Sequence, residues 1–187
     1  LQIRARLMKA TSLLINDAET ADKLTEQALT RLDGMEKFMS ADAALLVAKQ
    51  LKLLGQAQAS DSMLKNCAEI YGDDPAVMRG IAKQTDDPAI LNSGTAAADL
   101  NRQGVRSYKA GALTEARELF RGALLLQPKN ISIALNMAQS ILHGATANLD
   151  PGLLDECRRC LKMVGLMPES DARYPRYQKL QSKALEQ

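Results

Sequence analysis

Residues 97–130 constrain the fold of this 187-residue chain more than any other stretch. They form a 34-residue unit in which small, turn-forming and bulky residues fall at set offsets. Counted from Ala97, Leu100 is at position 4, Gly104 at 8, Tyr108 at 12 and Gly111 at 15. Ala116 follows at 20, Phe120 at 24, Ala123 at 27 and Pro128 at 32. Gly104, Ala116 and Ala123 are small where two helices must approach closely. Gly111 permits a tight turn between them. Phe120 fills the space between neighbouring pairs, and Pro128 stands where the second helix must stop. The spacing predicts a helix–turn–helix unit that cannot bury its apolar face alone and must stack on copies of itself.

Such copies are present. From Ile131, Met137, Ala138 and Ile141 fall at positions 7, 8 and 11. A loop is expected over 144–150. Asp150-Pro151 then starts a second helix as an N-cap followed by a first-turn proline, carrying Cys157, Leu161 and Val164 at the positions matching 20, 24 and 27. A closing helix over 174–185 carries Tyr177, Leu180 and Ala184 on one side and a solvated Arg176, Lys179 and Lys183 on the other, as the open end of a helical stack requires. Upstream the period is weaker: in 41–74, Val47, Ala48, Leu51, Gly55, Ser60, Leu64 and Cys67 occupy equivalent places. Segments 3–15 and 21–39 read as a degenerate helical pair, the second with Leu24, Ala28, Leu32 and Met35 at helical spacing. Asp74-Pro75 and Asp87-Pro88 each predict a short capped helix, over 75–83 and 88–91. Residues 1–91 therefore read as degenerate repeats, 92–96 as a linker, and 97–187 as two clear repeats with a capping helix. Charge shifts at the same boundary, from 11 basic and 13 acidic residues before it to 13 and 9 after it.

Composition supports an all-α fold. Apolar residues make up 46% but aromatic residues only 3%, so the core must come from Leu, Ala, Met and Ile, which favour helices over strands. A net charge of +2 and the lack of interleaved rings argue against a nucleic-acid surface. No apolar run reaches the length of a membrane span. Three cysteines, an odd number, fit a reducing, cytoplasmic setting better than a disulfide framework. The chain opens Leu-Gln-Ile-Arg and already reads as helix, as a piece cut from a longer protein would.

No constellation for catalysis stands out, and no catalytic residue, cofactor site or metal site is assigned. Cys157 and Cys160 form a C-x-x-C pair, but their register places them in helix packing. His143, the sole histidine, ends a helix, where it meets the carbonyl ends or takes a place on a groove wall. Gly104, Gly111 and Gly122 lack the spacing of a phosphate loop. The basic set Arg158, Arg159, Lys162, Arg173, Arg176 and Lys179 reads either as solvated helix faces or as a positive patch for an acidic or phosphorylated partner.

The 34-residue unit resembles a tetratricopeptide repeat (TPR), although Gln103 and Ser107 stand where that pattern has apolar or bulky residues. The resemblance covers about two-thirds of the chain and is specific over 97–168. It implies a helical solenoid that binds a protein or peptide segment in a concave groove lined by the first helix of each pair. The groove positions then include Asn101, Arg102, Val105, Tyr108 and Lys109 in one repeat and Leu135, Asn136, Gln139 and Leu142 in the next. TPRs that grip chaperone C-termini carry a Lys and an Asn where this chain has Asn101 and Val105, so that activity is not implied. Degenerate pairs followed by clear repeats more loosely resemble the C-terminal arm of bacterial response-regulator-type signalling proteins. The alternative is a structural role, in which Leu7, Leu14 and Ile15 mediate homodimerisation or docking onto a preceding domain.

Overall fold

The computed structural model describes residues 2–33, 38–92, 94–143 and 149–187. Among these, all regular structure is helical. The order is α1 (Gln2–Leu13), α2 (Ala18–Asp33), α3 (Ala41–Leu53), α4 (Ala57–Tyr71), α5 (Pro75–Ala82), α6 (Pro88–Leu91), α7 (Thr95–Lys109), α8 (Leu113–Leu126), α9 (Ile131–His143), α10 (Pro151–Val164) and α11 (Tyr174–Leu185). Helices pair in sequence as α1/α2, α3/α4, α7/α8 and α9/α10, and successive pairs touch through α1/α3, α8/α9 and α7/α9. The closing helix α11 packs against both α9 and α10.

Local chemistry accounts for the ends of these helices. Asp74, Asp87 and Asp150 accept hydrogen bonds from the backbone amides of Ala76, Ala89 and Leu153, each beside a proline in the first turn. Gly55 and Gly111 take positive φ values of 74° and 81°. At each the chain closes the same way. The Gln56 amide donates to the Leu51 carbonyl at 2.9 Å, and the Ala112 amide donates to the Ser107 carbonyl at 2.9 Å. That five-residue reach, with glycine in the left-handed region, is a Schellman closure, and it turns α3 into α4 and α7 into α8 alike.

Some boundaries differ from those the sequence suggests. The helix expected over 21–39 runs from Ala18 to Asp33 instead. Phe38–Ser40 lie outside it, because Ser40 accepts from the Ala43 amide and caps α3. Met35 and most of the loop expected over 144–150 fall outside the described residues. Residues 95 and 96, assigned to the linker, belong to α7.

One buried cluster runs from Ala44 in α3 to Ala184 in α11, crossing the 92–96 segment. A smaller one, of Leu7, Ala28, Val47 and Leu51, holds α1 and α2 on α3. Leu7 is fully buried, so it belongs to this core and is not available to a dimer contact, whereas Ile15 is exposed. Polar groups also join the two halves. The Gln127 side-chain amide donates to the Ala68 carbonyl at 3.3 Å, and Asn130 donates to Gln127 while its own oxygen caps α9 at Ile133. Among the described residues no helix is long and apolar enough to cross a membrane.

Candidate functional site

The first helices α7 and α9, with α11 beside them, form one continuous surface because each packs on the next. Their side chains meet across it in a chain of hydrogen bonds centred on Arg176. The Arg176 Nε and Nη2 groups donate to Gln139 Oε1 at 2.9 and 2.6 Å, and Nη2 also donates to Asn136 Oδ1 at 2.8 Å. A guanidinium can only donate, so both amide oxygens must point at it and both amide nitrogens away from it. Asn136 Nδ2 accordingly donates to Asn101 Oδ1 at 2.8 Å, and Gln139 Nε2 to the Tyr108 hydroxyl oxygen at 3.0 Å. The Tyr108 hydroxyl in turn lies 3.0 Å from His143 Nδ1, and the two rings meet edge to face with centroids 5.3 Å apart. One arginine thus sets the direction of the amide bonds in two arms that span three helices.

A cavity of about 290 Å³ opens along this surface, lined by Val105, Tyr108, Lys109, Phe120, Asn136, Gln139 and Arg176. A second, of about 160 Å³, adjoins it across Tyr108 and Gln139 and reaches Leu142, His143, Lys179 and Lys183. Five residues expected on the groove, Val105, Tyr108, Lys109, Asn136 and Gln139, therefore line it together. Leu142 lines the adjoining cavity, and three others line neither. Asn101 is buried beneath Asn136, Arg102 pairs with Asp99 on the exposed side of α7, and Leu135 is wholly inside the core.

The basic set does not form one patch. Arg158, Arg159 and Lys162 stay exposed on α10, where Arg158 sits 3.7 Å from Asp155. Arg173 and Arg176 are turned inward instead, which removes Arg176 from the solvated face expected of α11. Arg173 forks onto Asp171 at 3.0 and 2.9 Å, donates to Ser132 Oγ at 2.9 Å and stacks over the Tyr71 ring at 5.1 Å. Burial pushes its pKa down, but the hydrogen bonds and charge of Asp171, with Asp73 and Tyr71 adding, more than offset this and raise it. At Arg176 burial outweighs the opposing influence of Tyr108 and leaves its pKa below the ordinary value. The spacing in α11 marks an edge position but does not single out Arg176. Arg176, Lys179 and Lys183 each precede an inward-facing residue, Tyr177, Leu180 and Ala184, by one position. About 100° of helix rotation therefore places them at the edge of the buried face rather than opposite it.

Comparisons with protein-family models, with curated proteins and with solved structures return no match to this chain.

The cysteines belong to the packing. Cys67, Cys157 and Cys160 are all buried and unbridged, and the Cys157 thiol points at the Ala138 carbonyl 3.9 Å away. Burial raises their pKa values to about 12, 11 and 12 respectively, so little reactive thiolate forms at neutral pH. With a disulfide-exchange chromophore, all three thiols are expected to react only as the protein unfolds; a rapid native-state reaction of any one would contradict this placement.

Proposed function

We propose that this chain is a TPR-like helical arm that binds an extended protein segment across α7, α9 and α11. The observation that carries the reading is the amide and hydroxyl relay on three neighbouring helices, set along an open cavity with an apolar floor. An extended segment brings backbone C=O groups that need donors once they leave water, and the side-chain amides of Asn136 and Gln139 each keep a spare N–H to supply them. The identical closures at Gly55 and Gly111 support a repeat origin for the helix pairs. Three buried, unbridged thiols suit a cytoplasmic arm of a larger signalling protein. The role is binding rather than catalysis.

The test is a selection of random twelve-residue peptides displayed on phage against the purified chain. Affinities of the enriched peptides are then measured by fluorescence anisotropy. The Tyr108→Glu, Asn136→Ala double variant is expected to weaken binding at least about tenfold, equivalent to one or two lost polar contacts. Its helix content by circular dichroism should stay unchanged. Equal affinity for wild type and variant would exclude this groove. Self-association is the second reading, and Ile15, 94% exposed beside Leu14, favours it. A sedimentation experiment in which the chain dimerises and Ile15→Asp makes it monomeric would support that reading.

A further inference from the structure

We infer that the segment held in this groove is acidic and that one of its Asp or Glu carboxylates seats on Arg176. The inference rests on the groove reading above and names the chemistry of its occupant.

Three observations carry it. First, Arg176 differs from Arg121 and Arg173, which also tie separate elements together. Arg121 forks onto Glu156 at 2.8 and 2.7 Å, and Arg173 forks onto Asp171. Arg176 is enclosed much as Arg173 is, yet its bonds all go to neutral amide oxygens. Those bonds use Nε and Nη2, and among the described residues Nη1 donates to nothing, so a guanidinium edge remains for a carboxylate.

Second, the two adjoining cavities are lined by four cationic side chains, Lys109, Arg176, Lys179 and Lys183, and, among the described residues, by no Asp or Glu. Lys109, Lys179 and Lys183 are exposed and enter no ion pair among the described residues. The overall charge of +2 is thus unevenly spread, and this surface attracts anions.

Third, the relay makes the groove a donor surface. Arg176 occupies both amide oxygens, while Asn136 Nδ2 and Gln139 Nε2 each use one N–H within the relay and keep a second. A ligand group that meets spare N–H donors and a cation must be an acceptor with several lone pairs, as a carboxylate is. The cavity of about 290 Å³ is the size of a side chain or two rather than of a large cofactor. Val105 and Phe120 on its floor suit an apolar residue next to the acid.

The same peptide selection tests this with different readouts. Enriched peptides are expected to carry an excess of Asp and Glu. Changing the critical acid to its amide, or Arg176→Gln, should each weaken binding by roughly 10–100-fold, the range of a charge-assisted contact. Combining the two should cost little more than either alone. Because Arg176 also orders the relay, the exposed pair Lys179→Gln with Lys183→Gln provides an independent arm. Affinity should fall several-fold and its dependence on salt should flatten, with the unfolding midpoint unchanged. Groove-dependent peptides with no acidic excess, or binding indifferent to Arg176→Gln and to the lysine pair, would overturn the inference and leave the groove reading standing. So would peptides that bind only when the acid is replaced by phosphoserine. Failure to enrich peptides, or enriched peptides indifferent to Tyr108→Glu with Asn136→Ala, would overturn the groove reading and this inference with it.

Discussion

Phe120→Ala is expected to lower the free energy of unfolding by about 3–5 kcal/mol, the usual cost of deleting a buried ring. Phe120 is 1% exposed and lies against α7 at Gly104. A Cβ built on Gly104 would come within 2.6 Å of one ring carbon and 2.8 Å of another. The ring and the missing side chain are therefore a matched pair, and Gly104→Ala should itself cost roughly 1–3 kcal/mol by overpacking. Shrinking the ring with Phe120→Leu should relieve that second penalty, so the double variant should be more stable than the two single losses predict. Urea unfolding followed by circular dichroism measures all four proteins. Strictly additive losses would show that the two helices do not meet through this contact. Phe120 also floors the groove, so Phe120→Ala should deepen the cavity and weaken peptide binding beyond the change in stability.

Arg173→Met is expected to cost about 3 kcal/mol at neutral pH, because it strands a mostly buried carboxylate rather than removing a balanced pair. Its side chain joins Asp171, Ser132 and the Tyr71 ring, and approaches Asp73 at 4.0 Å, so it ties the start of α11 to α9 and to the α4–α5 turn. The loss should depend on pH with a definite sign. Burial alone would raise the pKa of Asp171, but its hydrogen bonds and ion pair with Arg173 prevail and hold it below the ordinary value of 3.8. A lowered folded-state pKa gives stabilisation that is complete above about pH 4 and disappears as pH falls through the folded value. In Arg173→Met the backbone amide of residue 173 still donates to Asp171, but the guanidinium bonds and charge are gone while burial stays, so the folded pKa of Asp171 should rise from its wild-type position. The gap between wild type and variant should therefore be widest near neutrality and close in acid. A gap that stays constant from neutral pH to pH 3 would show that this pair contributes no net electrostatic stability.

The sequence disclosed the site unevenly, and the reasons are physical. Tyr108, Asn136 and Gln139 could be placed because the 34-residue period fixes which helix faces look toward the groove. Leu135 has a similar claim from register alone, but it is fully buried in the packed interior of α9. Arg176 was the reverse case: a charged residue beside Lys179 reads as solvated until α11 is seen packed on α9 and its guanidinium found against two amides. Leu7 shows the same limit at the other end. An apolar residue in a degenerate helix serves equally as core or as contact surface, and only its burial under α3 decides between them.

What the sequence determined by itself is the set of helices and turns. Asp-Pro caps, glycines at 55 and 111 and apolar residues at helical spacing act through bonds between near neighbours, so their effect is legible wherever they occur. Tertiary structure alone decided which of those helices share a face and where their charges point. The position of α11 across α9 converts a surface arginine into the centre of a hydrogen-bonded relay. That choice depends on the shape of partners far apart in the chain, such as Arg176 with Asn136 and Arg173 with Asp73, and a pattern of short-range spacings carries no record of it.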